Sequence, residues 1–168
     1  MKQFFLLFLA AFSLSGCLGY HLGAVKPQYL SSVHTIAVPV FTNRTYIPRI
    51  EALVTGTVIK EFQRDGTFTI ADGDKADAIL HGEITGVTRR PARPVRGNVL
   101  ATTEFILDVS ISYNLTARDG KALGPAGSIA GSTSFFVSSD VVTDERQALP
   151  LAAEQAAKSL VAQISEGW

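Results

Sequence analysis

The chain has 168 residues, with 15 basic side chains against 15 acidic ones and 46% hydrophobic residues. That balance excludes recruitment to nucleic acid or to an anionic surface by global charge, so charge has to be read locally. A single cysteine excludes an intrachain disulfide, and stability must come from the packed core that a chain of this length can build.

The first segment is a leader. Lys2 supplies a positive start, Phe4 to Leu14 is almost wholly apolar, and Leu14-Ser15-Gly16-Cys17 closes the run with small residues before the cysteine. The run is too short to span a bilayer and reads as a signal peptide. Its end has the pattern of a bacterial lipoprotein processing site. Cys17 is therefore the predicted lipidation site, with diacylglycerol on its sulfur and, after cleavage, a fatty acid such as palmitate on its new amino group. A buried methylene contributes about 0.8 kcal/mol and stable anchoring needs two membrane signals, so three acyl chains would hold firmly. Residue 18 is Leu, not the Asp that tends to retain lipoproteins in the inner membrane of enteric-type bacteria, which predicts delivery to the outer membrane. The predicted organisation is a signal peptide over 1–16, a lipidated tether over 17–32 and one folded domain over 33–168.

Val33 to Val40 is a β-branched run that reads as a strand, with Pro39 marking an edge or an end. Pro48 suits the first position of a helix. Ile50, Val54, Val58 and Phe62 then recur every four residues, a helical stripe of about four turns that Asp65-Gly66 terminates. Gly56 and the β-branched residues lower its intrinsic propensity, so packing has to hold it. Thr67 to Ala71 and Ala76 to Arg90 are the next strands, the latter with Ala78, Leu80 and Ile84 on one face. Thr102 to Ala117 alternates most cleanly. Phe105, Leu107, Val109, Ile111, Tyr113 and Leu115 point one way, polar residues point the other, and Ile106 alone breaks the pattern. Asp119-Gly120 marks a turn. Ser128 to Ser138 returns with Ile129, Thr133, Phe135 and Val137 on one side. The closing helix carries Leu149, Ala153, Ala156, Leu160 and Ile164, with Asp144 and Gln147 placed as a capping box and Pro150 complicating its start. These elements predict an α+β fold, a two-layer sandwich in which two helices pack on one face of a mixed sheet of four to five strands. The other face is polar and free for water or a partner.

Enzyme motifs are missing: no nucleophile elbow, no phosphate-cradling glycine loop and no paired-histidine metal motif. The chain is therefore expected not to be an enzyme and to need no cofactor or metal, and nucleic acid is not an expected partner. One local feature stands out. Arg89, Arg90, Arg93 and Arg96 fall close together, and no acid lies between Glu83 and Glu104. Pro91 and Pro94 stiffen the run into a loop between two long strands. Guanidinium groups held on a rigid tip suit phosphate oxygens, which they can grip by two bonds at once. A solvated hairpin tip whose arginines only discourage edge pairing fits the spacing equally well.

Cys17-Leu18-Gly19-Tyr20-His21-Leu22 resembles the mature start of the lipopolysaccharide-assembly lipoprotein family LptE. The resemblance continues through Thr35 to Asn43, Pro48-Arg49-Ile50-Glu51, Ala76 to Leu80, the Arg89–Arg96 loop and Glu145 to Leu149. It implies an outer-membrane lipoprotein that plugs the large β-barrel LptD one-to-one, assists its assembly and helps insert lipopolysaccharide into the outer leaflet. It also implies lipopolysaccharide binding by basic residues, for which Arg89, Arg90, Arg93, Arg96 and, more weakly, Lys121 are the candidates. Ile36 to Asn43 also resembles the first strand of lipoproteins that oligomerise into secretion channels or activate cell-wall synthases, and this is the alternative reading.

Overall fold

The computed structural model describes residues 26–92, 104–138 and 140–167. The predicted leader and most of the predicted tether lie outside these residues. The elements are β1 (Thr35–Ala37), β2 (Thr42–Asn43), α1 (Ile50–Asp65), β3 (Thr69–Ile70), β4 (Ala78–Pro91), β5 (Glu104–Ala117), β6 (Gly127–Phe136) and α2 (Val141–Glu166). They form an α+β sandwich, as the residue pattern predicts. The sheet is mixed. Its order is β3-β1-β4-β5-β6 with β2 also on β4, the first three strands lying parallel to their neighbours and β4, β5 and β6 running antiparallel.

The sheet has six strands rather than four or five because a further short strand, β2, pairs with β4 beyond the end of the Val33–Val40 run, within which only Thr35–Ala37 is a strand. That strand ends at Ala37, and pairing resumes at Thr42 beyond Pro39, which has no N–H to give a ladder. The link is fixed from α1: the buried Thr55 hydroxyl accepts from the Phe41 N–H at 2.9 Å. Asn43 then organises the approach to the helix. Its amide donates to the Ile47 carbonyl and to Glu51, and its oxygen accepts from the Thr45 N–H and hydroxyl. Arg49, at φ 65°, makes the turn into α1, and Gly66, at φ 75°, ends the helix in the left-handed conformation that glycine adopts without a steric penalty.

The α1 stripe, Ile50, Val54, Val58 and Phe62, is fully buried. The α2 stripe differs in kind. Ala148, Ala152, Ala153, Ala156 and Ala157 bring the helix backbone down onto β6, and Leu160 and Ile164 fill the core beyond them. Gly131 of β6 sits where a Cβ would fall inside the backbone of Ala156 and Ala152. Small residues on both partners therefore set the distance between the layers. The start of α2 differs from the sequence expectation. Asp140 is the N-cap, accepting from the Val142 and Thr143 N–H groups, so Pro150 lies inside the helix. Asp144 does not cap; it accepts from the N–H and hydroxyl of Ser138 and closes the turn from β6. The helix starts earlier because an aspartate ahead of two β-branched residues competes well for its first N–H groups.

The two helices run side by side and finish together, where the Ser165 hydroxyl donates to Asp65 at 3.0 Å. The N-terminal strap enters at that same end. Pro27 lies against Gly167, Lys26 sits 4.6 Å from the Phe68 ring centre, and Leu30 is already core.

Candidate functional site

The long β4–β5 hairpin carries the basic loop at the end of the sandwich away from the strap. At about 1.5 Å per residue, α2 is about 40 Å long and spans that separation. Arg89 and Arg90 are described; Arg93 and Arg96 lie outside the described residues, as does Cys17.

A bulge decides which way the two arginines face. Along the first half of β4, Ala78, Leu80 and Ile84 point to the helices, and this phase would carry Arg90 inward. The register shifts between Ile84 and Gly86, leaving Thr85 out of the pairing with β5, where its hydroxyl reaches the Ser110 carbonyl. Beyond it the odd-numbered residues turn inward. Arg89 pairs across from Leu107 on the helix side, and Arg90 from Ile106 on the open side.

Each arginine meets an acid from another element. Arg89 Nη1 donates to Glu145 of α2 at 2.6 Å, and its guanidinium lies 5.3 Å from the Phe105 ring centre. Phe105 in turn stacks on Phe135 at 6.1 Å. Arg90 Nε donates to Asp108 of β5 at 2.9 Å. Asp108 also accepts a short bond from the Ser132 hydroxyl of β6. That hydroxyl, with the Arg90 guanidinium behind it, holds the Asp108 carboxyl below the usual carboxylate range despite partial burial. The arginine run lacks acids in sequence, yet strand pairing and helix packing supply one to each described member.

Lys121 stands apart. It follows β5 in the turn where its N–H meets Asp119 and its carbonyl accepts from Ala117. Ala117 pairs with Ala78 at the start of β4. Lys121 is therefore at the strap end, a full strand length from Arg89 and Arg90, and the fold does not bring it into their site.

The open face between the two ends is built of small polar groups. Across β4, β5 and β6, Glu83, Ser112 and Ser128 form one row, and Thr88, Asp108 and Ser132 another. Glu83 pairs with Arg44 at 3.2 Å, and His81 Nε2 lies 3.1 Å from the Thr116 hydroxyl. A shallow groove crosses this face, lined by Thr42, His81, Glu83, Ser112, Asn114 and Ser128. Among the described residues no cluster of three or more His, Cys, Asp or Glu side chains is placed to hold a metal ion.

Residues 33–164 match the family described as LptE, lipopolysaccharide-assembly. The chain belongs to the LptE family. Membership makes it a lipopolysaccharide-assembly lipoprotein of the cell envelope. No curated protein sequence matches it.

Solved structures share its fold at low identity. A minor lipoprotein from Acinetobacter baumannii is 13% identical with a TM-score of 0.57, over 81% of this chain and 95% of that one. The PelC dodecamer from Paraburkholderia phytofirmans is 14% identical with a TM-score of 0.52, over 84% and 94%. Uncharacterised lipoprotein B from Nitrosomonas europaea is 14% identical with a TM-score of 0.51, over 89% of each chain. Among the described residues no helix is long and apolar enough to cross a membrane.

Proposed function

We propose that this chain is the outer-membrane lipoprotein that plugs the LptD β-barrel one-to-one, assists its assembly and helps pass lipopolysaccharide to the outer leaflet. Family membership over residues 33–164 carries the proposal. Lipid on Cys17 docks the protein on the inner leaflet of the outer membrane, and the strap leads into one end of the sandwich. The basic tip lies at the other end, where it would meet the phosphates of the glycolipid through Arg89 and Arg90, with Arg93 and Arg96 close by in sequence. The open face of Ser, Thr and Asn side chains suits a barrel lumen, which is polar. The protein acts as a binding and assembly component rather than as an enzyme.

Depletion in the native host tests this. The expected result is loss of folded LptD and of newly exported lipopolysaccharide at the cell surface. Unchanged barrel and surface lipopolysaccharide after depletion would overturn it.

One observation favours a second reading, a lipoprotein that assembles with itself. The PelC structure, a dodecamer, has the same fold at a TM-score of 0.52. Light scattering of the purified protein separates the two, since a ring scatters as a large particle and a lone plug as a single chain.

A further inference from the structure

The two described tip arginines are both occupied, and by acids that differ in kind. Glu145 takes a terminal nitrogen of Arg89 on the helix side. Asp108 takes only Nε of Arg90 on the open side, and among the described residues the two terminal nitrogens of Arg90 meet no other acceptor. Both pairs reach solvent, with side-chain exposures of 40% and 30% in the first and 58% and 17% in the second. Arg89–Glu145, the pair whose acid is the more exposed, is weak enough for an incoming dianion to displace, because phosphate offers more charge and more oxygens to the same fork.

We propose that Glu145 and Asp108 are built-in competitors at the tip, counter-ions that lower its affinity for phosphate and so reserve it for ligands that carry several phosphates. The proposal rests on the reading that the tip binds lipopolysaccharide. At Arg89 the competition is for the nitrogen itself. At Arg90 it is by charge, since the Asp108 carboxylate stays beside the free edge of the guanidinium. The strand register strengthens the filter. Arg89 and Arg90 open onto opposite faces, so a single phosphate on one face does not serve both. A ligand with clustered phosphates can engage each side separately.

The test measures binding of the full-length protein, purified in mild detergent, to lipopolysaccharide and to the same lipopolysaccharide stripped of phosphate. Glu145→Gln and Asp108→Asn should each bind the phosphorylated form about two- to fivefold more tightly than wild type. The double variant should gain about the product, since the pairs share no partner. Binding to the stripped form should not change. Glu145→Ala and Asp108→Ala should move in the same direction, which keeps the result readable if an amide builds a new hydrogen bond. Equal or weaker binding by these variants, with Arg89→Ala and Arg90→Ala both weakened, would overturn the competition while leaving the tip as the binding site. If the arginine variants bind as wild type does, the tip reading fails and the competition goes with it.

Discussion

The two faces of the sheet are made from the same strands and obey different rules. The helix face is filled by Leu107, Val109, Ile111 and Leu115 of β5 and by the aliphatic and alanine stripes of the two helices, all of them buried. The open face repeats Ser110, Ser112, Asn114 and Thr116 from the same strand. Fold stability is concentrated on one side, and the other is left to interact. The tip lies where the sides meet, and there adjacent residues go to opposite faces. Arg89 is part of the helix-side packing, with Glu145 and Phe105, whereas Arg90 belongs to the open side with Asp108 and Ser132.

Substitutions should divide along that line. The largest effect is expected at Gly131, where a side chain meets the α2 backbone, which cannot yield as a flexible side chain would. Gly131→Val should cost at least about 3 kcal/mol and lower the melting temperature steeply. A variant that melts like wild type would show that α2 can lift off β6. Next comes Leu160, fully buried under the sheet. Leu160→Ala should cost about 2–5 kcal/mol in urea unfolding. On the open face Ser112→Ala should stay within about 0.5 kcal/mol. A cost there near that of Leu160→Ala would erase the contrast between the faces.

Acid sensitivity sharpens the picture further. The Asp77 carboxylate accepts from the His34 and Thr35 N–H groups, tying the start of β1 to the start of β4. The His34 bond, then those of Thr35, lower its pKa, and Asp108 is lowered by Ser132 first and then Arg90. A carboxyl whose pKa is depressed on folding stabilises above its unfolded pKa and loses that contribution as pH falls through the folded value. Urea midpoints should therefore decline as pH drops through and below the ordinary carboxylate range. Asp77→Asn should flatten the decline. An unchanged slope in that variant would remove the strand-tying role of Asp77.

Most of the fold was legible because burial imposes a period. The α1 stripe of Ile50, Val54, Val58 and Phe62 and the alternation of β5 both reflect one apolar side, and both are buried as their spacing predicts. The exceptions are places where a local contact competes with the period. The first strand stops at Ala37, short of Pro39, and Asp140 captures the start of α2 ahead of the Asp144–Gln147 pair. The tip was legible as a cluster of charge but not as an arrangement. Which arginine faces which side depends on the bulge before Gly86, and an isolated glycine inside a strand was its one signal. Asp108 reaches the tip through strand register and Glu145 through helix packing, neither of which local spacing encodes. Lys121 also follows a strand, but successive antiparallel turns fall at opposite ends of a sheet, which puts it a strand length from Arg89 and Arg90.

The proposed function stands or falls with the barrel partner. The most direct measurement is purification of the tagged full-length protein from its own outer membrane in mild detergent, with the mass and stoichiometry of what comes with it. The account predicts one large β-barrel for each copy of this chain. A homo-oligomer without a barrel, or a cell-wall synthase in its place, would contradict it.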